Sequence, residues 1–194
     1  MQNQFKTNRI EALTDGVFAI AMTIMVLTID IPEKDLGLTG HALHQVLLRQ
    51  LHQVLSYITS FLLLAVLWII HHKQYGYIKA TNQTHIWINI LILIFICLVP
   101  YTTNLTSDFP DDWMTHLYFN SNMLIVALLY FLNWSYAMRK KELASEKTSP
   151  EMISKGKQNI LSFVTVSVLA IGLSFIWPAW SSMAYLLLFI LMKR

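Results

Sequence analysis

The sequence predicts an all-α integral membrane protein with six transmembrane helices, on three observations. The chain of 194 residues is 55% hydrophobic and 13% charged, with a mean hydropathy of +0.49. A soluble domain of this size lacks the polar surface to cover so much apolar side chain, so lipid must solvate much of it. Stretches free of Asp, Glu, Lys and Arg recur over 16–29, 50–72, 80–107, 113–138 and 158–192, and a bilayer core of about 30 Å takes about 20 apolar residues per helix. Finally, the basic residues sort onto alternate loops, as the positive-inside rule requires of a multi-pass chain.

Helix 1 is expected over roughly 10–30. Only 14 residues separate Asp15 from Asp30, a rise of about 21 Å, so a full crossing takes in Asp15 and starts near Arg9. The run ends in Asp30, Ile31 and Pro32 instead of a small-residue cleavage site, which reads as a mature helix and not a signal peptide. A carboxylate at this depth costs about 2.5–3.5 kcal/mol on insertion scales, so Asp15 needs protein or water around it and a partner. Helix 2 is expected over 50–72 and closes with Trp68, His71 and His72. Helix 3 is expected over 84–103, carrying Asn89. These four polar residues are the candidate partners of Asp15, able to donate from an indole, an imidazole or an amide. Helix 4 is expected over 114–138. The last apolar stretch would be about 52 Å long as one helix, and Trp177-Pro178-Ala179-Trp180 splits it into a hairpin of helices over 158–176 and 179–192.

Six crossings put both termini on one side. That side then holds Lys6, Arg9, Lys73, Lys79, Arg139, Lys140, Lys141, Lys147, Lys155, Lys157, Lys193 and Arg194, and the other holds Lys34 and Arg49, a division of twelve to two. The sparse side also carries Asp30, Glu33, Asp35, Asp108, Asp111 and Asp112. Both termini are therefore expected in the cytoplasm of a cell whose plasma membrane holds the chain. The whole of 1–194 forms a single six-helix domain.

At 100° per residue, Leu13, Gly16, Ile20, Thr23, Ile24, Leu27 and Ile31 share one stripe of helix 1. Asp15 falls nearly opposite, on a face continued by Phe18, Met22 and Ile29 that suits packing inside the subunit. Asp15 thus reads as a structural lock. The wheel by itself does not separate a pore face from ordinary helix packing, and Thr23 also suits a bond back to a carbonyl one turn earlier.

Arg9, three residues, Leu13-Thr14-Asp15 and then GVFAIAMTIMVLTI resemble the signature of the transmembrane protein 175 family of potassium channels, Arg-x-x-x-Phe-Ser-Asp. Leu13 replaces the aromatic residue and Thr14 the serine. Trp68-Ile69-Ile70-His71-His72, Asn89 and Pro100-Tyr101-Thr102 follow in the family's order, so the resemblance spans 9–102. It implies a homotetramer with four copies of helix 1 around a central pore. Ile20 is then the bulky constriction, Thr23 a hydroxyl layer, and Ile24 and Leu27 the continuing wall. The implied permeant ion is K⁺, passing near Ile20 and Thr23. A hydrophobic constriction gates by dewetting, which gives modest preference for K⁺ over Na⁺ through dehydration cost. No TVGYG filter and no arginine-spaced voltage sensor occur in the sequence.

Two other readings stand beside this one. Asp15 with His71 or His72 suits a proton channel or proton-coupled transporter. His41, His44 and His52 with the acidic residues near them suit a membrane metalloenzyme, although no His-Glu-x-x-His spacing is present. Enzyme chemistry and a resident cofactor or metal are not expected. The lone Cys97 excludes an internal disulfide framework. The net charge of +3 is explained by loop sorting and not by a nucleic-acid surface. The expected partners are lipid, monovalent cations and other copies of the chain.

Overall fold

The computed structural model describes residues 5–31 and 39–188. Helix α1 runs Asn8–Ile24 and tightens into a 3₁₀ turn, Met25–Thr28; α2 runs Gly40–Tyr75, α3 Gln83–Cys97, α4 Val99–Asp108, α5 Trp113–Arg139, α6 Pro150–Ser174 and α7 Pro178–Ser181, the last followed by a 3₁₀ turn, Ser182–Leu186. Among the described residues there is no β-strand, and only two isolated bridges, Phe5 with Thr81 and Ile78 with Ala144. Five segments are long and apolar enough to cross a membrane: Asn8–Leu27, Gly40–Tyr75, Gln83–Asp108, Trp113–Arg139 and Pro150–Ser174.

Three boundaries depart from the sequence expectation. Helix 2 begins at Gly40 instead of residue 50, and its 36 residues extend about 54 Å. A charged residue such as Arg49 ends an apolar run but not a helix, and the start is set by Gly40, whose φ of 54° lies in the left-handed region open to glycine. Helix 5 begins at Pro150 instead of 158, because Pro150 occupies the first turn and Ser149 accepts from Met152 N at 3.3 Å, a proper N-terminus eight residues before the last charge. Expected helix 3 divides at Leu98 into α3 and α4, since Pro100 cannot donate to the carbonyl one turn earlier. The expected hairpin at Trp177-Pro178 is a real break, with α7 and its 3₁₀ turn packed back against α6. The end of expected helix 6, 189–192, lies outside the described residues, as do Pro32, Glu33, Lys34, Asp35, Lys193 and Arg194.

Helix α5 stands at the centre, packed by α3, α4 and α6. Its Phe119, Met123, Val126, Tyr130 and Trp134 join Phe18, Leu64, Leu67, Ile92, Ile96 and Phe163 in one buried cluster. Asparagines bind the bundle: Asn120 Nδ2 reaches Ser174 Oγ at 2.8 Å and Asn122 Nδ2 reaches Phe95 O at 3.1 Å, interhelical bonds of the kind that replace a hydrophobic driving force in lipid. Gly156 lets α6 approach Trp134, whose Nε1 donates to Ile153 O at 3.1 Å; a Cβ at 156 would stand 2.6 Å from the ring. At the end of the bundle that carries most of the basic residues, the loops are sewn together. Phe5 and Thr81 exchange backbone bonds of 2.7 and 2.9 Å, Lys79 N donates to Leu143 O at 2.9 Å, and Ser145 N donates to Tyr77 O at 2.9 Å. Lys79 and Glu146 add an exposed ion pair at 3.6 Å.

Candidate functional site

Helix α1 buries one face and leaves another bare. Ile10, Thr14, Phe18, Ala21 and Met25 are buried against the bundle. On the other side, Leu13 is 49% exposed, Ile20 59%, Ile24 45% and Leu27 78%, and Gly16 and Thr23 are exposed with them. The apolar stripe read from the sequence is therefore not used by the subunit's own packing. Thr23 Oγ1 donates back to Ala19 O at 3.0 Å or Ile20 O at 2.9 Å. Its hydrogen is spent on the helix, so the oxygen's lone pairs are what it offers outward.

The buried face is centred on Thr14, Phe18 and Ala21, not on Asp15. Asp15 is exposed and sits at the flank, while Met22 and Ile29, expected on the packing face, are half-buried. Its carboxylate is nevertheless held, for Trp68 Nε1 donates to Asp15 Oδ1 at 2.8 Å. Of the four partners proposed from sequence, Trp68 makes this bond and the other three serve elsewhere. His72 is exposed and stacks on Trp68, with centroids 5.8 Å apart at 24°, steadying the indole. His71 and Asn89, both buried, form a second tie: His71 Nε2 donates to Asn89 Oδ1 at 3.1 Å and Asn89 Nδ2 donates to Thr14 Oγ1 at 3.3 Å. His71 also stacks on Tyr75 at 4.4 Å. Helix α1 is thus locked through adjacent residues, Thr14 to α3 and Asp15 to α2. The pair is effective because consecutive residues point about 100° apart, so one tie resists rotation that the other would permit.

Arg9 and Leu13 stand apart from these ties. Arg9 is exposed, and among the described residues it makes no ion pair with Asp15, as expected for residues six apart on a helix. Leu13 belongs to the bare stripe. The three histidines of the enzyme reading do not converge, since His41 and His44 are exposed on the outlying part of α2. Among the described residues no three His, Cys, Asp or Glu side chains are grouped to hold a metal.

Two features had no signal in the sequence. A cavity of about 170 Å³ is lined by His52, Ser60, Thr106, His116 and Trp180, and His116 is fixed between Pro110 O at 2.9 Å and Ser181 Oγ at 3.2 Å. Beyond the far end of α1, Asp30 is bound to Gln53, whose Nε2 donates to Asp30 Oδ2 at 2.8 Å. These residues come from segments far apart in the chain, so no local spacing marks them.

The model of the family described as "Endosomal/lysosomal potassium channel TMEM175" matches residues 9–100, the stretch that carries both ties. A potassium channel of Chryseobacterium sp. (strain P1-3) is 31% identical over 172 residues, covering 88% of this chain and 83% of that one. The endosomal/lysosomal proton channel TMEM175 of Gallus gallus is 34% identical over 110 residues, which are 53% of this chain and 22% of that larger one. The crystal structure of a lysosomal potassium-selective channel TMEM175 homologue from Chamaesiphon minutus superposes with a TM-score of 0.82 at 25% identity, covering 97% of each chain. The family model across residues 9–100 and the likeness over most of the chain to the Chryseobacterium and Chamaesiphon channels make the chain a member of the TMEM175 family.

Proposed function

We propose that the chain is a potassium-permeable cation channel, a multi-pass membrane protein and not an enzyme. Its pore lies on the axis of a homotetramer, lined by four copies of α1. The observation that carries this reading is the bare apolar stripe through Ile20, Thr23, Ile24 and Leu27 on a helix whose opposite side is locked to the bundle by hydrogen bonds. The naming of the Chryseobacterium and Chamaesiphon relatives as potassium channels supports the permeant ion.

In this arrangement four Ile20 side chains form an apolar constriction that closes by dewetting. K⁺ sheds water more readily than Na⁺, so a ring that strips part of the hydration shell favours K⁺ modestly. Thr23, with its hydrogen turned to the backbone, presents oxygen to the ion one turn on. Ile24 and Leu27 continue the wall, and Asp15, Trp68, His71, His72 and Asn89 hold the pore helix without touching the ion. Arg9 stands at the cytoplasmic mouth. The chain crosses the plasma membrane six times with both termini inside, the sixth crossing being the segment that starts at Pro178; the twelve-to-two division of Lys and Arg supports this orientation.

Proton conduction through Asp15 and His71 or His72 is the second reading, favoured by the proton-channel name of the Gallus gallus relative. Against His71 as a relay stands the bond of its Nε2 to Asn89, and Asp15 Oδ1 is held by Trp68. Flux through purified protein in liposomes under opposed K⁺ and Na⁺ gradients distinguishes them. The parent is expected to carry K⁺ over Na⁺, Ile20→Asn to raise flux and blunt the preference, and Thr23→Ala to lower the preference. Flux indifferent to both substitutions in a folded tetramer, or one that follows only the proton gradient, overturns the pore assignment.

A further inference from the structure

The cavity of about 170 Å³ lies between α2, α4, α5 and the α7 segment, and His116 in its wall is immobilised by Pro110 O and Ser181 Oγ. One side is a single stripe of α2, since Leu55, Ser56, Thr59 and Ser60 recur at the three- and four-residue spacing of one helix face. Another side comes from Trp180, Ser182 and Met183, beyond the break at Trp177-Pro178. No Asp, Glu, Lys or Arg is among the lining residues, so nothing in the wall would balance a charge, and a desolvated ion there is strongly disfavoured. Most of the polar groups are already engaged. Thr59 Oγ1 donates to Leu55 O at 2.9 Å, Thr106 Oγ1 to Thr103 O at 2.8 Å, and Ser60 Oγ accepts from Thr103 Oγ1 at 3.0 Å. Ser56 and Ser182 differ. Both are half-buried, and neither hydroxyl makes a hydrogen bond or is shut off from the surface. A membrane serine ordinarily turns its hydroxyl to the carbonyl one turn back; these two do not.

The walls thus combine an apolar surface from Leu55, Trp180 and Met183 with two uncommitted hydroxyls from different elements and no charge. The volume sets the size, for about 150 Å³ suffices for a benzene ring. We propose that this cavity binds a small neutral amphiphile, a single ring or short chain bearing one hydroxyl. Its apolar body lies against Leu55, Trp180 and Met183, and its hydroxyl exchanges hydrogen bonds with Ser56 Oγ and Ser182 Oγ. Water is the poorer ligand, because the apolar wall gives it no partners. Trp180 is 69% exposed and Trp177 63%, the placement of interfacial tryptophans, so the ligand arrives from the membrane–water boundary, where molecules of this class concentrate. Once seated, it bridges α2 and the α7 segment. The leaflet it arrives from rests on the topology proposed above; the binding itself does not.

The test uses benzyl alcohol and the full-length protein labelled with 5-fluorotryptophan in detergent micelles, read by ¹⁹F NMR. Trp180→Phe and Trp177→Phe assign the two resonances. Trp180 lines the cavity and Trp177 does not, so the second reports simple partition into the micelle. The Trp180 shift is expected to saturate, with a midpoint of about 1 mM for a ligand of this size, while Trp177 drifts without saturating. Toluene, lacking the hydroxyl, should bind about three- to tenfold more weakly, and benzylammonium should give no saturable shift. Ser56→Ala and Ser182→Ala should each weaken benzyl alcohol about two- to tenfold, and Ser56→Leu, which fills the space, should abolish its effect. Ser182→Ala removes one oxygen only and decides the matter should Ser56→Leu fail to fold. Parallel, unsaturated drift of both resonances up to about 20 mM, or benzyl alcohol binding unchanged in Ser56→Ala and Ser182→Ala, overturns the proposal, as does toluene binding as tightly as benzyl alcohol. None of these readouts depends on ion flux, so their failure leaves the permeation reading standing.

Discussion

Replacing Asn89 by leucine removes the amide that joins Thr14 to His71. The residue is fully buried and makes two side-chain bonds, at 3.1 and 3.3 Å. In lipid-embedded bundles a hydrogen bond of this kind is worth about 0.6 kcal/mol on average and about 1.7 at most. The orphaned groups raise the cost, for His71 Nε2–H has no water to turn to at 2% exposure, and an unpaired buried donor costs about 1–3 kcal/mol. The sum for Asn89→Leu is about 2–5 kcal/mol. His71→Phe keeps the ring over Tyr75 and strands Asn89 Oδ1 instead. The double variant has neither orphan, so the two losses should not add, and the coupling should be about 1–2 kcal/mol. Reversible unfolding of the bundle in mixed micelles, followed by circular dichroism, measures all four corners of the cycle. Losses that simply add, with coupling below about 0.5 kcal/mol, would refute the claim that the His71–Asn89 bond ties α2 to α3 behind Thr14.

Two further substitutions probe the other contacts. Trp68→Phe keeps the stack on His72 but deletes the donor to Asp15, and should cost about 1.5–3 kcal/mol, the range for bonds to charged groups, with the same unfolding assay as readout. Gly156→Ala would force a Cβ to within 2.6 Å of a Trp134 ring that its bond to Ile153 O holds in place; overpacking of this kind costs about 1–3 kcal/mol, visible as a lower melting temperature.

The membrane class and the bare stripe of α1 were legible because each depends on local periodicity. Charge-free stretches mark apolar cores of helices but not their ends, which is why α2 and α6 start earlier than expected: their starts are set by Gly40 and by the Ser149-Pro150 cap, both lying before the apolar run. A partner for Asp15 was legible as a class, because Trp68 is the donor at matching depth. That Asn89 and His71 serve Thr14 instead was not, since the choice turns on an angular difference between neighbouring residues of α1. The meeting of Ser56 with Thr106 and Ser182 around one cavity joins positions far apart in the chain and depends on how the segment after the break at Trp177-Pro178 folds back.

The loop stitching at Phe5 and Thr81 and the amide grip on Asp30 pin the α1 segment beyond both its ends, and the Thr14–Asp15 pair pins it again within the first turns. A rod held this way neither slides nor swings; it bows. From Thr14 to Asp30 the chord is about 30 Å, allowing for the longer rise of the 3₁₀ turn and the extended residues after it, and a sideways deflection of about 1 Å over that length corresponds to a radius of curvature of about 110 Å, gentler than the roughly 60–100 Å that ordinary long helices adopt. In the tetramer proposed above, four such bows moving together would change the bore at Ile20 by about 2 Å, an opening by flexure that leaves every anchor in place.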